Sequence, residues 1–108
     1  MRVTKLFDNV AVSNTGTTNS SVVRMRMQND EDGILQLQIT TTGPTATLKV
    51  QGRIASDAPW VDVAVNNAGD TEVAVSGYWL IPTFPEMRLT VTGSGTAGTA
   101  TVNAWIGD

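Results

Sequence analysis

GILQLQITTTGPTATLKVQGRI, residues 33–54, decides the fold class. Leu35, Leu37 and Ile39 fall on one parity, and Gln36, Gln38 and Thr40 on the other. Successive side chains of a strand point to opposite faces, so this is the pattern of a strand buried on one side. Beyond Gly43-Pro44 the alternation resumes, with Ala46, Leu48, Val50 and Ile54 against Thr47, Lys49, Gln51 and Arg53. Gly-Pro reads as a turn. The two strands are therefore expected to pair as an antiparallel hairpin.

The same period extends in both directions. Val23, Met25 and Met27 alternate with Arg24, Arg26 and Gln28, and Asp32-Gly33 suits a tight turn. Val61, Val63 and Val65 form a further set, followed by the loop Asn66–Asp70. Val73, Val75 and Trp79 share a parity, as do Met87, Leu89 and Val91. In the last strand Ala100, Val102, Ala104 and Ile106 point inward and Trp105 outward. Residues 92–98 read as a hairpin connection between Val91 and Val102. With a first strand near residues 3–12, the total is about eight strands at short, regular spacing. No window carries the i, i+3, i+4, i+7 apolar repeat of a helix. The expected fold is all-β: an antiparallel two-sheet sandwich, jelly-roll-like, one domain over residues 1–108.

Composition narrows the chemistry. The 108 residues contain no cysteine and no histidine. That removes thiol catalysis, disulfides, thiolate metal sites and the usual general base. The formal net charge of −3 gives no basic footprint for nucleic acid. No apolar run approaches the roughly 20 residues of a membrane helix, and MRVTKLFDNVAV lacks the apolar core of a secretory signal. No cofactor and no metal are expected.

Each remaining cluster has a plainer reading. Asp30, Glu31 and Asp32 suggest a calcium loop, but with Gly33 as the sixth position the first and twelfth fall on Gln28 and Ile39. A solvated turn is the better reading. Asp57, Asp62, Asp70, Glu72 and Glu86 could in principle supply a glycosidase pair, yet a domain this small rarely encloses the cleft such a pair needs. Gly93, Gly95 and Gly98 precede a Thr- and Val-rich strand rather than the helix that a phosphate loop requires. In QGRIASDAPWVDV, residues 51–63, Ser56–Pro59 interrupt two alternating runs and read as a corner, with Trp60 restarting the chain at the end of the sandwich. Trp60 and Trp79 read as core or rim packing, and outward Trp105 as an interface anchor or a sugar platform.

VQGRIASDAPWVDV and IPTFPEMRLTVTGSGTAGTATVNAWIG, with Pro82, Pro85, Arg88, Gly93 and Gly98, together resemble the construction of small β-sandwich virion proteins of tailed bacteriophages. The resemblance spans about two thirds of the chain and brings no catalytic residues with it. It implies a non-enzymatic capsid decoration or cement protein, made in the host cytoplasm and resident in the virion. It also implies a homo-oligomer, commonly a trimer, bound to the major capsid protein or another virion protein. Lys5, Phe7, Arg24, Arg26, Arg88 and Trp105 are the expected contact residues, Lys5 and Phe7 in an arm or an ordinary first strand. The alternative is a carbohydrate-binding module on a tail or surface appendage, with Trp79, Asn103 and Trp105 as its platform. A hydrolase dependent on Asp57 or Glu86 is a distant third.

Overall fold

A computed structural model describes residues 2–13, 16–26, 32–41, 46–93 and 99–108. Within them lie ten strands and no helix: β1 (Val3–Ser13), β2 (Thr17–Asn19), β3 (Val23–Arg24), β4 (Gly33–Thr41), β5 (Ala46–Arg53), β6 (Val61–Asp62), β7 (Glu72–Val73), β8 (Gly77–Ile81), β9 (Glu86–Gly93) and β10 (Thr99–Gly107). All pairings are antiparallel. One sheet, A, has the order β1-β10-β4-β8. In the other, B, β9 and β5 lie side by side; β2 and β3 share the outer edge of β9, and β6 and β7 that of β5. The ten segments thus fill the lanes of the expected eight-stranded sandwich. The pairs β1–β10, β2/β3–β9, β4–β8 and β5–β6/β7 nest inside one another, as in a ribbon rolled across two sheets.

Alternation correctly identifies the buried parity. The inward side chains include Leu35 and Leu37 of β4, Leu48 and Val50 of β5, Leu89 and Val91 of β9, and Val102 and Ile106 of β10, all nearly inaccessible. Full burial of one such aliphatic side chain stabilises by about 1.5–3 kcal/mol.

Partnership differs from the sequence expectation. β4 and β5 are not a hairpin: they belong to opposite sheets, facing each other across the core. The same correction applies to β9 and β10. Both sheets of a sandwich bury one face against the same interior, so period two marks the inward side without choosing the neighbour. Ile54 lies beyond the end of β5 and is 73% exposed, and Val75 lies between β7 and β8 and is also exposed, because parity stops predicting burial where the ladder stops. Val61 is exposed although it pairs with Gly52 in β6. The corner after β5 is as read: Ala58 N–H bonds Ala55 C=O at 3.1 Å, and β6 then pairs back onto β5. The turn expected at Gly43-Pro44, the acidic residues Asp30 and Glu31, Met27, and Gly95 and Gly98 lie outside the described residues.

β1 carries two register shifts against β10, one between Lys5 and Phe7 and one between Phe7 and Val10. Asn9 takes a φ of +50° here, a conformation asparagine tolerates better than most residues. Such bulges bend an edge strand and re-aim its side chains.

Candidate functional site

The two outer faces of the sandwich differ in kind. On sheet B the outward residues form a cross-strand polar ladder. Arg53 Nε lies 2.8 Å from Glu86 Oε1, with the Arg24 guanidinium 3.8 Å from the other oxygen. One row over, Arg88 Nε donates to Gln51 Oε1 at 2.9 Å, and Gln51 Nε2 donates to Asp62 Oδ1 at 3.0 Å. Lys49 Nζ reaches both Asp62, at 3.4 Å, and Glu72, at 3.7 Å. The Gln51 amide bond holds the Asp62 carboxyl below its ordinary range; slight burial opposes this, and the Lys49 bond and charge reinforce it. Trp60 lies over this ladder, with the Arg53 and Arg88 guanidinium carbons 4.2 and 4.4 Å from its ring centroid. It packs on the outside of the sheet rather than across the end of the sandwich. Charges on this face are answered from within.

Sheet A carries apolar side chains at one end of its outer face, while the rows beyond it are polar (Asn103–Gln38 and Thr101–Thr40). Residues paired across strands share a face, so the register gives its rows directly. One row runs Val3–Gly107–Ile34–Leu80, and the next Lys5–Trp105–Gln36–Tyr78. Val3, Leu80 and Tyr78 are 59%, 60% and 72% exposed, and Ile34 and Trp105 are half-buried. Gly107 contributes no side chain, and a shallow depression of about 170 Å³ lies among Val3, Ile34, Gln36, Trp105 and Gly107. Lys5 Nζ sits 5.0 Å from the Trp105 ring centroid and 2.9 Å from Asp8 Oδ1. Val3, Ile34, Leu80, Tyr78 and Trp105 thus lie beside one another on this face.

The expected contact residues do not form one site. Lys5 and Trp105 share the sheet A face. Phe7 is a correction: the register shift after Lys5 turns it inward opposite Ala104, where it is 2% exposed and part of the core. Arg24 and Arg88 lie on the sheet B face. Arg26 is at one end of the sandwich, where its main-chain N–H donates to Asp108 Oδ2 and its Nε is 3.4 Å from Oδ1. Arg2 closes the same clasp at 2.9 Å. Burial alone would raise the Asp108 carboxyl; the Arg26 N–H, the charges of Arg2 and Arg26 and the Arg2 bond outweigh it, and the group titrates below its ordinary range.

Trp79, Asn103 and Trp105 do not make a platform either. Trp79 pairs with Leu35 on the inward parity and packs against the core. Asn103 has outward parity but is 8% exposed, because the β1 bulge lays Asn9 over it. Its Oδ1 accepts the Asn9 N–H at 2.8 Å, and its Nδ2 donates to Asn9 Oδ1 at 3.0 Å. Val3, Ile34 and Leu80 were not singled out from the sequence. The available signal was GYWLI, residues 77–81, where both parities are large and apolar.

The candidate carboxylates are spread apart. Asp62, Glu72 and Glu86 face lysine or arginine on sheet B, Asp70 accepts a bond from Asn66 at 2.8 Å, and Asp57 is exposed in the corner.

No protein-family model matches the chain, and no curated protein does. Two solved structures are similar in fold. The crystal structure of PirA superposes with a TM-score of 0.52 at 15% identity, covering 97% of this chain and 91% of PirA. That of the SPBc2 prophage-derived protein YomS superposes with a TM-score of 0.52 at 9% identity, covering 100% of this chain and 96% of YomS. At such identities the shared property is the β-sandwich itself.

Proposed function

We propose that the chain is a non-enzymatic structural protein of a tailed-phage virion, a capsid decoration or cement protein that binds the shell through the outer face of sheet A. The observation that carries this reading is the asymmetry of the two faces. Sheet B engages its own charges, with four carboxylate–cation contacts among Arg24, Lys49, Arg53, Asp62, Glu72 and Glu86, and Arg88 held by Gln51 and Trp60. Sheet A leaves Val3, Ile34, Leu80, Tyr78 and Trp105 together on its outer face. Burying such a patch against a neighbour drives association, with tryptophan and tyrosine as typical anchors. The full-length likeness in fold to a prophage-derived protein supports the setting. The partner is the major capsid protein or another virion protein. A ligand that binds the assembled shell but not its loose subunits stabilises the assembly by mass action. Asp62, one of the candidate carboxylates, is held below its ordinary range, the opposite of what a general acid requires.

Co-sedimentation tests the reading. The chain is expected to pellet with assembled phage shells and not with unassembled capsid subunits. Trp105→Ala is expected to weaken binding by about tenfold or more, as an aromatic anchor does, with little loss of stability. Failure to pellet, or binding indifferent to Trp105→Ala and Leu80→Lys, would refute it. A glycan-binding module is the second reading, favoured by the row in which the Gln36 carboxamide lies between Trp105 and Tyr78. A change in tryptophan fluorescence on adding one class of oligosaccharide, lost in Trp105→Ala, would establish that reading instead.

A further inference from the structure

Each sheet of an open sandwich has two edges, and an unguarded edge is a template for another strand. Three of the four edges here are blunted. β1 is bent by its two register shifts and carries Lys5 and Asp8. The edge beside β9 is broken into β2 and β3 and bears Arg24, and the edge beside β5 is broken into β6 and β7 and bears Asp62 and Glu72. The fourth is β8, GYWLI, which is unbroken, has no charge and no proline, and among the described residues pairs with β4 alone.

The direction of its free main-chain groups follows from the ladder. Ser76 Oγ accepts the Ile39 N–H at 3.0 Å and donates to Ile39 C=O at 3.4 Å, so both main-chain groups of Ile39 face the β8 side. Main-chain groups alternate along an antiparallel strand. Those of Leu37, Leu35 and Gly33 therefore also face β8 and are met by their register partners Gly77, Trp79 and Ile81. Tyr78 and Leu80 direct their N–H and C=O groups away from the sheet.

We propose that β8 pairs with β8 of a second copy of this chain, antiparallel about a two-fold axis at Trp79, joining two A sheets into one. In that register Tyr78 faces Leu80 of the second copy, and both exchange N–H···O=C bonds through the groups that β4 leaves unused. Trp79 meets its own copy as the non-hydrogen-bonded pair. Registers about Tyr78 or Leu80 would also set outward groups against outward groups, but each would pair one of these two residues with a position outside β8 (Gly77–Ile81); only the register about Trp79 keeps both bonded pairs within the strand. A two-fold axis brings each residue near its own image, so any charge on a self-pairing strand meets its like. β8 is the edge without one. Tyr78 and Leu80 then cover each other across the axis, and the apolar faces of the two copies run on as a single surface. This inference goes beyond the shell-binding reading and is testable without a shell.

A contact of five residues a side is small for a specific interface. Sedimentation of the full chain is expected to show a reversible monomer–dimer equilibrium. Leu80→Lys, which sets like charges beside the axis, is expected to weaken it roughly tenfold or more, with circular dichroism unchanged. The native chain has no cysteine, so register is tested directly by oxidising Tyr78→Cys mixed with Leu80→Cys. The mixture is expected to form covalent dimer several-fold faster than either variant alone. A monomer at all concentrations up to about 1 mM, a trimer, or equal cross-linking in all three samples would overturn the proposal.

Discussion

Replacing Gly52 by alanine adds one methyl group to the inward face of β5, and the structure shows what it would strike. The new Cβ would lie 2.5 Å from Phe84 Cδ1 and Cγ and 2.8 Å from Phe84 Cβ. Carbon atoms pack best about 3.5–4.0 Å apart, so the overlap approaches 1 Å. Swinging the Phe84 ring aside does not relieve it, because the ring's own root is among the atoms struck. The backbone beside it is tied as well, with Pro85 C=O accepting the Met25 N–H at 3.0 Å. Overpacking of this kind costs about 1–3 kcal/mol. About 2 kcal/mol corresponds to a fall in Tm of roughly 10 °C for a domain of this size. Urea unfolding of Gly52→Ala, Phe84→Ala and the double variant measures both the cost and its source. Since Phe84→Ala retains Cβ, the double variant is expected to recover most, but not all, of the Gly52→Ala loss. A loss below about 0.5 kcal/mol, or a double variant showing the plain sum of the two singles, would refute the packing argument.

The Asp108 clasp carries a pH signature. Its folded pKa is depressed, so its contribution is complete above the ordinary value of about 3.9 and is lost as pH falls through the lower folded value. Asp108→Ala is expected to cost about 1–3 kcal/mol at pH 7, and the gap to the native chain should close only below about pH 4 in a pH series of unfolding curves. Asn103→Ala removes the acceptor of the Asn9 N–H and is expected to cost about 1–2 kcal/mol; hydrogen exchange at Asn9 should speed up in step. Trp60→Ala removes the cover over two guanidinium groups and is expected to cost about 1–2 kcal/mol, with chemical shifts moving at Arg53 and Arg88 and not at Lys5.

The inward set Leu35, Leu37, Leu48, Val50, Leu89 and Val102 was legible in the sequence because period two is a local property of strands. The partner of each strand was not. Residues 33–54 contain two well-formed strands, but their pairing with β10, β8 and β9 depends on residues up to 73 positions away, as for Ile34 and Gly107. Phe7 and Asn103 show a second limit. Parity counted from either end of β1 is broken by its register shifts, which turn Phe7 inward and cover Asn103. Nothing in LFDNV announces a bulge except Asn9 itself. Trp105 was read correctly as outward. Its neighbours Val3, Ile34 and Leu80 became a patch only when the register aligned them.

The rolled order of the strands also sets a timetable for synthesis. β1 has one partner, β10, and β2 and β3 have one partner, β9. None of the first three strands has anything to pair with until the last two have been made. At 5–20 residues per second the ribosome needs on the order of ten seconds to pass from Val3 to its partner Gly107. Until β9 has been made, only the β4–β8 and β5–β6/β7 pairs can form; β9 then completes sheet B, and sheet A waits for β10. Folding of the sandwich is thus concentrated late, with its strand GYWLI paired to β4 on one side while the rest of sheet A is still missing.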